Sequence, residues 1–206
     1  ERRELEIREE KLQLEIDMLR AQLNPHFMFN VLNNLFGTAR KNGCEETAKG
    51  IVQLSGLMRY MLQESNQNFV LLQNELAYLE NYIKLQQLRF SSEDDVRISF
   101  AIEGALENRY IAPLILITFV ENAFMHGIKI KSSCYVDIGL KTEEDGIFFT
   151  VANRNFDDSS RDINSNGIGI VNTRRRLELI YQDMYSLEIK KSQSAFLVEL
   201  FISDKL

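Results

Sequence analysis

Pro113-Leu114-Ile115-Leu116-Ile117-Thr118-Phe119-Val120-Glu121-Asn122-Ala123-Phe124-Met125-His126-Gly127 reads as one helix, apolar through its early turns, polar in its last and ended by glycine. On either side the period changes. Val96, Ile98, Phe100 and Ile102 alternate with polar or small residues upstream, and Cys134, Val136, Ile138 and Leu140 alternate downstream, the pattern of half-buried strands. A helix this apolar, set between strands of period two, needs a sheet to lie on. After a turn at residues 143–146, Ile147, Phe149 and Val151 continue the alternation. A helix is expected from about residue 170 to 181, and two last strands over 186–190 and 196–202. This half of the chain is therefore expected to be α+β, a mixed sheet with helices on one face.

Upstream the period is helical. Leu72, Leu76, Leu79, Ile83 and Phe90 mark a helix that the acidic stretch at residues 91–95 ends. Before it, residues 65–69 are polar and read as a hinge. Leu5, Leu12, Ile16, Leu19 and Leu23 make a coiled-coil-like seam in a highly charged opening segment. The helix is expected to run on to about Arg40, with Pro25 able to kink it and Asn42-Gly43 to stop it. Ile51, Leu54, Met58 and Met61 stripe a second helix. Such a helical hairpin buries too little by itself, and pairing with a second copy into a four-helix bundle completes it. The expected division is 1–66 for the helical, dimerising part and 67–206 for the α+β part. The chain starts inside a helical pattern and is read as a fragment of a longer protein.

Composition narrows the classes. The 206 residues are 45% hydrophobic and 26% charged, with a net charge of −6. That fits a folded globular chain and argues against nucleic acid as a partner, which calls for a basic face. Cys44 and Cys134 match neither a disulfide framework nor zinc spacing. The most apolar run, residues 110–120, is far short of the roughly 20 residues that span a bilayer.

Only two prolines and two histidines occur, and each proline shares a short segment with one histidine. The first segment is Leu23-Asn24-Pro25-His26-Phe27-Met28-Phe29-Asn30-Val31-Leu32-Asn33-Asn34-Leu35. Packing gives a bundle helix no reason to hold Pro, His and four Asn together, although a polar histidine beside a kink is the simpler account. The second is the opening stretch, where Asn122 and His126 share a face at i, i+4. A histidine facing the C-terminal dipole with Gly127 as terminator is the plain structural alternative. The third is Asn166-Gly167-Ile168-Gly169-Ile170-Val171-Asn172-Thr173-Arg174-Arg175-Arg176-Leu177. Two glycines before a helix suit phosphate, and alone they equally suit an ordinary loop.

In this order the three segments closely resemble the LytS/YehU-type sensor histidine kinases, which combine an N-P-H-F-x-F-N phosphoacceptor helix with a GHKL-type ATPase domain. Asn24 to Asn30 give the first motif without a break, Glu121 to Gly127 match E-N-A-x-x-H-G, and Gly167 to Asn172 followed by Arg176-Leu177 match G-x-G-[LI]-x-N…R-L. Leu57-Met58-Arg59-Tyr60, Glu75-Leu76, Tyr82 and Arg89-Phe90 agree as well. The resemblance implies a GHKL-type α/β sandwich, ATP with Mg²⁺, and phosphoryl transfer to His26 and then to an aspartate of a response regulator. It implies a homodimer, and a cytoplasmic fragment of a bacterial receptor anchored in the inner membrane by a segment absent from this chain. It places Asn122 on Mg²⁺, assigns nucleotide contacts to Asn122, His126, Asn153, Gly167, Gly169, Asn172 and Arg176, and makes the 13-residue loop at 154–166 an ATP lid. Asn30, one turn after His26, is within reach of the ring or the transferred group, and Glu121 is a candidate to orient water or act as a base.

Three places depart from the family pattern. Asn153 stands where an adenine-facing Asp is frequent, Phe124 and Met125 where a basic residue is common, and Ser194-Ala195 where Gly-Thr is usual. Phe27, not an acid, follows His26, as is usual in this family. An Asn offers both a donor and an acceptor, so Asn153 is expected to weaken the grip on ATP and to discriminate less against GTP. Three functional readings meet these residues: an ATP-dependent histidine kinase, a degenerate kinase-like dimeric scaffold with weak or no turnover, and a GHKL-type ATPase with no phosphohistidine, which leaves the first motif unexplained.

Overall fold

The computed structural model describes residues 25–65, 67–91, 93–129, 131–156 and 168–203. The predicted seam through Leu23, most of the predicted lid and Gly167 lie outside the described residues. The chain divides into two compact units, one ending at Gln63 and one beginning at Glu64.

The first unit is a helical hairpin of α1 (Pro25–Lys41) and α2 (Glu45–Arg59), with a π-helical turn (Tyr60–Glu64) after it. The expected stop at Asn42-Gly43 is present. Gly43 has φ +69, a left-handed value that glycine adopts without a Cβ penalty. The Cys44 N–H then returns to the Ala39 carbonyl at 2.9 Å, satisfying one of the last carbonyls of α1. Arg40 and Lys41 close α1, Glu45 and Glu46 open α2, and Arg40 pairs with Glu45 across the turn; each charge complements its helix end. Leu32, Ala39, Ala48 and Leu57 are buried.

The second unit begins with β1 (Val70–Leu71) and α3 (Leu72–Gln87). Leu72, Leu76, Leu79 and Ile83 form the predicted buried stripe. Phe90 does not belong to it. The helix ends at Gln87, where tight i→i−3 bonds from Arg89 to Gln86 and from Phe90 to Gln87 turn the chain. Next come β2 (Val96–Glu103), β3 (Tyr110–Ile111), α4 (Leu116–Gly127), β4 (Cys134–Glu143), β5 (Gly146–Arg154), α5 (Ile168–Tyr181), β6 (Tyr185–Lys191) and β7 (Ala195–Ser203).

The main sheet has the order β2-β4-β5-β7-β6. β2 and β4 are parallel, with Val96 opposite Cys134, and the remaining pairs are antiparallel. Val136, Ile138, Leu140, Ile147, Phe149, Val151, Val198, Leu200 and Ile202 are buried in strict alternation along their strands. That single buried face carries the helices, with α4 against β4, β5 and β7. This is the expected α+β architecture, a mixed sheet with helices on one face. A small antiparallel ribbon, β1 with β3, was not foreseen; two residues per strand are too few for an alternation to show.

α4 starts at Leu116, three residues later than Pro113. Leu114 takes φ +58, which breaks the helical path ahead of it.

Candidate functional site

In the first unit, Pro25 opens α1, where its missing N–H costs no helical bond. His26 follows in the first turn and is exposed. One helical turn on, Asn30 brings Nδ2 to 3.3 Å from the His26 Nδ1 and 3.4 Å from its Nε2. The i, i+4 spacing read from the sequence therefore does place the Asn30 amide on the imidazole. Phe29 lies under the Arg59 guanidinium, 5.7 Å from ring centroid to Cζ, which ties the first turns of α1 to α2.

In the second unit, α4 positions Glu121, Asn122 and His126. Its N-terminus is capped from another element. Ile115 stands at the N-cap and makes no side-chain cap bond. Instead the buried Glu75 carboxylate of α3 accepts the Leu114 N–H at 3.0 Å and the Leu116 N–H at 3.3 Å. Sequence reasoning gave Glu75 no role. A signal was present, since position 75 falls in the buried Leu72/Leu76/Leu79 stripe, where an acid needs a partner. Asn122 and His126 are half-buried on one face of α4, and Gly127, fully buried, ends it.

Gly127 meets Asn153. A Cβ added at Gly127 would stand 2.6 Å from the Asn153 Cβ and 2.8 Å from its Nδ2. The helix end and β5 can approach this closely only because position 127 has no side chain. Asn153 is 1% exposed, and its Nδ2 donates to the Arg154 carbonyl at 2.8 Å. Its Oδ1 is buried and has no hydrogen-bond partner among the described residues. The amide is therefore not free to present either end, as the sequence alone allowed. Turned over, it would set oxygen against the Arg154 carbonyl, so the end left over is an acceptor.

α5 packs on the start of α4. The Thr173 hydroxyl donates to that of Thr118 at 3.1 Å, and a Cβ at Gly169 would touch the Thr118 methyl at 3.4 Å. Gly169 and Asn172 are exposed in the first turns of α5. Arg176, expected among the nucleotide contacts, donates from Nη2 to the Pro113 carbonyl at 2.9 Å.

Between α3 and α4 lies a cleft of ≈ 700 Å³, lined by Tyr82, Gln86, Arg89 and Phe90 on one side and by Glu121, Phe124, Met125, Ile128 and Lys129 on the other. Tyr82 and Phe124 meet edge to face at 5.8 Å. Glu121 shows part of its length to solvent. Burial of the remainder raises its carboxyl above the usual carboxylate range. Tyr78 and Tyr82 are both pushed up to about 12, first by burial and then by the Glu121 charge. Asn122 and His126 are outside this lining, so α4 turns Glu121 to the cleft and holds Asn122 and His126 on the adjacent flank.

A family model described as Histidine kinase matches residues 14–94. The Sensor protein LytS of Bacillus subtilis (strain 168) is 35% identical over 156 residues, covering 72% of this chain and 26% of that protein. The Sensor protein LytS of Bacillus anthracis is 34% identical over 150 residues, covering 72% of this chain and 25% of that protein. That of Staphylococcus epidermidis (strain ATCC 12228 / FDA PCI 1200) is 27% identical over 203 residues, covering 93% of this chain and 34% of that protein. The chain thus spans about a quarter to a third of the length of the curated relatives it matches. A likeness that takes in 93% of the chain cannot be confined to either of its two units, and the chain belongs to the LytS-type sensor histidine kinases.

Proposed function

We propose that this chain is an ATP-dependent kinase core that transfers the γ-phosphoryl group of ATP to His26, and from there to an aspartate of a response regulator. The observation that carries this reading is the buried, unpartnered Asn153 Oδ1 beside the end of the helix that bears Asn122 and His126. A buried acceptor left unmade costs about 1–3 kcal/mol, so the native site calls for a donor, and the exocyclic amine of adenine supplies one.

The residues present fit a nucleotide with its metal. Mg²⁺ takes few protein ligands and completes its shell with phosphate oxygens and water. Asn122, half-buried with a neutral amide oxygen on the flank of α4, suits that role better than a closed cage would. When bound, the metal neutralises charge on the phosphates. Gly169, exposed in the first turn of α5, leaves its backbone N–H open to the phosphate end, and Asn172, exposed one turn on, offers its side-chain amide.

The chemistry assigned to the acceptor is nucleophilic. The imidazole nitrogen that holds the lone pair forms the N–P bond. The bond from the γ-phosphorus to the β–γ bridging oxygen breaks, ADP leaves with that electron pair, and the other ring N–H gives its proton to solvent. Asn30 holds the ring against free rotation. Glu121, its carboxyl raised by burial, orients water at the edge of the site. The hairpin pairs with a second copy, and the stimulus arrives from a membrane-anchored sensor segment elsewhere in the protein.

Incubation with γ-labelled ATP tests the reading. Acid-labile, base-stable label on the protein is expected, and His26→Gln should abolish it while ATP binding persists. Label that survives in this variant would remove His26 as the acceptor. The lack of a basic residue at Phe124 and Met125, where the family pattern commonly has one, favours the second reading, a scaffold with weak or no turnover. ATP binding with no label in the wild type would decide for it.

A further inference from the structure

The turn that enters α4 is held in an unusual way. Over residues 112–116 the backbone polar groups bond to three side chains from other elements. The Tyr181 hydroxyl accepts the Ala112 N–H at 2.7 Å. The Arg176 Nη2 donates to the Pro113 carbonyl at 2.9 Å. Glu75 accepts from Leu114 and Leu116 at 3.0 and 3.3 Å. Between these bonds Leu114 sits at φ +58, a conformation an L side chain rarely adopts unless its surroundings impose it. Pro113 has no N–H, and Ile115 at the N-cap makes no side-chain cap bond. The local sequence therefore supplies none of the usual means of starting a helix here.

We propose that Glu75, Arg176 and Tyr181 act together as positioning residues, a clamp from α3 and α5 on the entry turn that sets where α4 presents Glu121 and Asn122. The proposal rests on the kinase reading for its functional consequence. α4 is a short rod, and Asn122 lies about 9 Å along it from Leu116 at 1.5 Å per residue. A tilt of about 6° at the entry turn displaces Asn122 by roughly 1 Å, enough to cost a phosphoryl transfer about two orders of magnitude in rate. Arg176 thereby has an occupation other than phosphate. Its guanidinium is spent on a carbonyl that forms part of the helix entry.

Tyr181→Phe and Arg176→Met, singly and together in the full chain, test the clamp. Tyr181→Phe removes one oxygen and keeps the ring that meets Phe69 edge to face at 6.1 Å, so it carries the test even if Arg176→Met does not fold. Without nucleotide, amide exchange should rise at least threefold from Ala112 through Asn122 in each variant. Phosphorylation of His26, expressed per ATP-binding equivalent, should fall about tenfold or more, with KM for ATP within twofold. The ATP-to-ADP affinity ratio should stay unchanged, and the double variant should be little worse than the worse single one, because both act on one turn. A loss of affinity in Arg176→Met that is steeper for ATP than for ADP would make Arg176 a phosphate ligand and overturn the clamp. So would exchange that rises at Ala112 alone while α4 stays protected. If the wild type binds no ATP, the kinase reading fails, and the exchange measurement still decides the clamp.

Discussion

Asn153 presents a single acceptor. Its Nδ2 is committed to the Arg154 carbonyl and its Oδ1 is buried without a partner. In the proposed nucleotide site adenine would meet that oxygen with an amine, guanine with a carbonyl. Leaving a buried acceptor unsatisfied costs about 1–3 kcal/mol, so ATP should bind roughly 5- to 150-fold more tightly than GTP. Calorimetric titration of both nucleotides checks this, and equal affinities would show that Asn153 does not read the base. The sequence suggested looser discrimination, because it shows the side chain and not the carbonyl that holds it. The same limit hid Glu75, whose partners Leu114 and Leu116 lie 39 and 41 positions away. His26 and Asn30 were legible because four-residue spacing on a helix is itself a contact. Asn122 and His126 were legible as a shared face for the same reason.

The helix α4 combines an acid it partly buries with a glycine it cannot replace. Burial raises the Glu121 carboxyl, so the folded chain keeps that proton to higher pH than the unfolded chain does. Ionising Glu121 then costs stability as pH rises from the ordinary carboxylate range through the raised value, and below that range it costs nothing. Glu121→Gln should therefore melt at or above the wild type at pH 7.5, with the difference gone near pH 3.5, while labelling of His26 falls about 10²-fold. The same variant should bring Tyr78 and Tyr82 down from about 12, since the Glu121 charge is the second cause of their rise after burial; ultraviolet titration of tyrosinate reads this directly. At the other end, Gly127→Ala would drive a Cβ to 2.6 Å from the Asn153 Cβ. Neither atom can swing aside, so a loss of about 1–3 kcal/mol in chemical denaturation is expected, together with a weaker preference for ATP. Most element boundaries were legible from periodicity, and the failures are local. The start of α4 moved because Leu114 takes a left-handed turn imposed from α3 and α5. Phe90 left its helix because i→i−3 bonds close the end of α3 about one turn after Ile83.

At the scale of the molecule, the hairpin leaves apolar surface that no described part of one chain covers. Val31, Leu35 and Phe36 on α1 and Val52 and Leu54 on α2 are all exposed. The stripe predicted on α2 divides in the structure, with Met58 buried and Leu54 open to solvent. One helix thus serves an interior and an outer face. Val31 and Leu35 stand at i, i+4 and share a side of α1, and a patch of this kind on an isolated hairpin marks an association surface. A second copy is the occupant that fits, because a twofold interface is self-complementary and two such hairpins make a four-helix bundle. In that arrangement each substitution counts twice. Burying a whole leucine side chain is worth about 1.5–3 kcal/mol; Leu54 has 38% of its surface left to bury, so Leu54→Asp should weaken the dimer by about 1–2 kcal/mol over the two copies, or roughly 5- to 50-fold. Sedimentation velocity from 0.1 to 100 μM should show the wild type as a dimer and the variant moving to monomer. ATP binding by the second unit should be untouched, since its core lies in the sheet and α3 to α5. A wild type that stays monomeric through that range would mean that something other than a second copy covers the face, and a Leu54→Asp variant that remains fully dimeric would place the interface elsewhere on the hairpin.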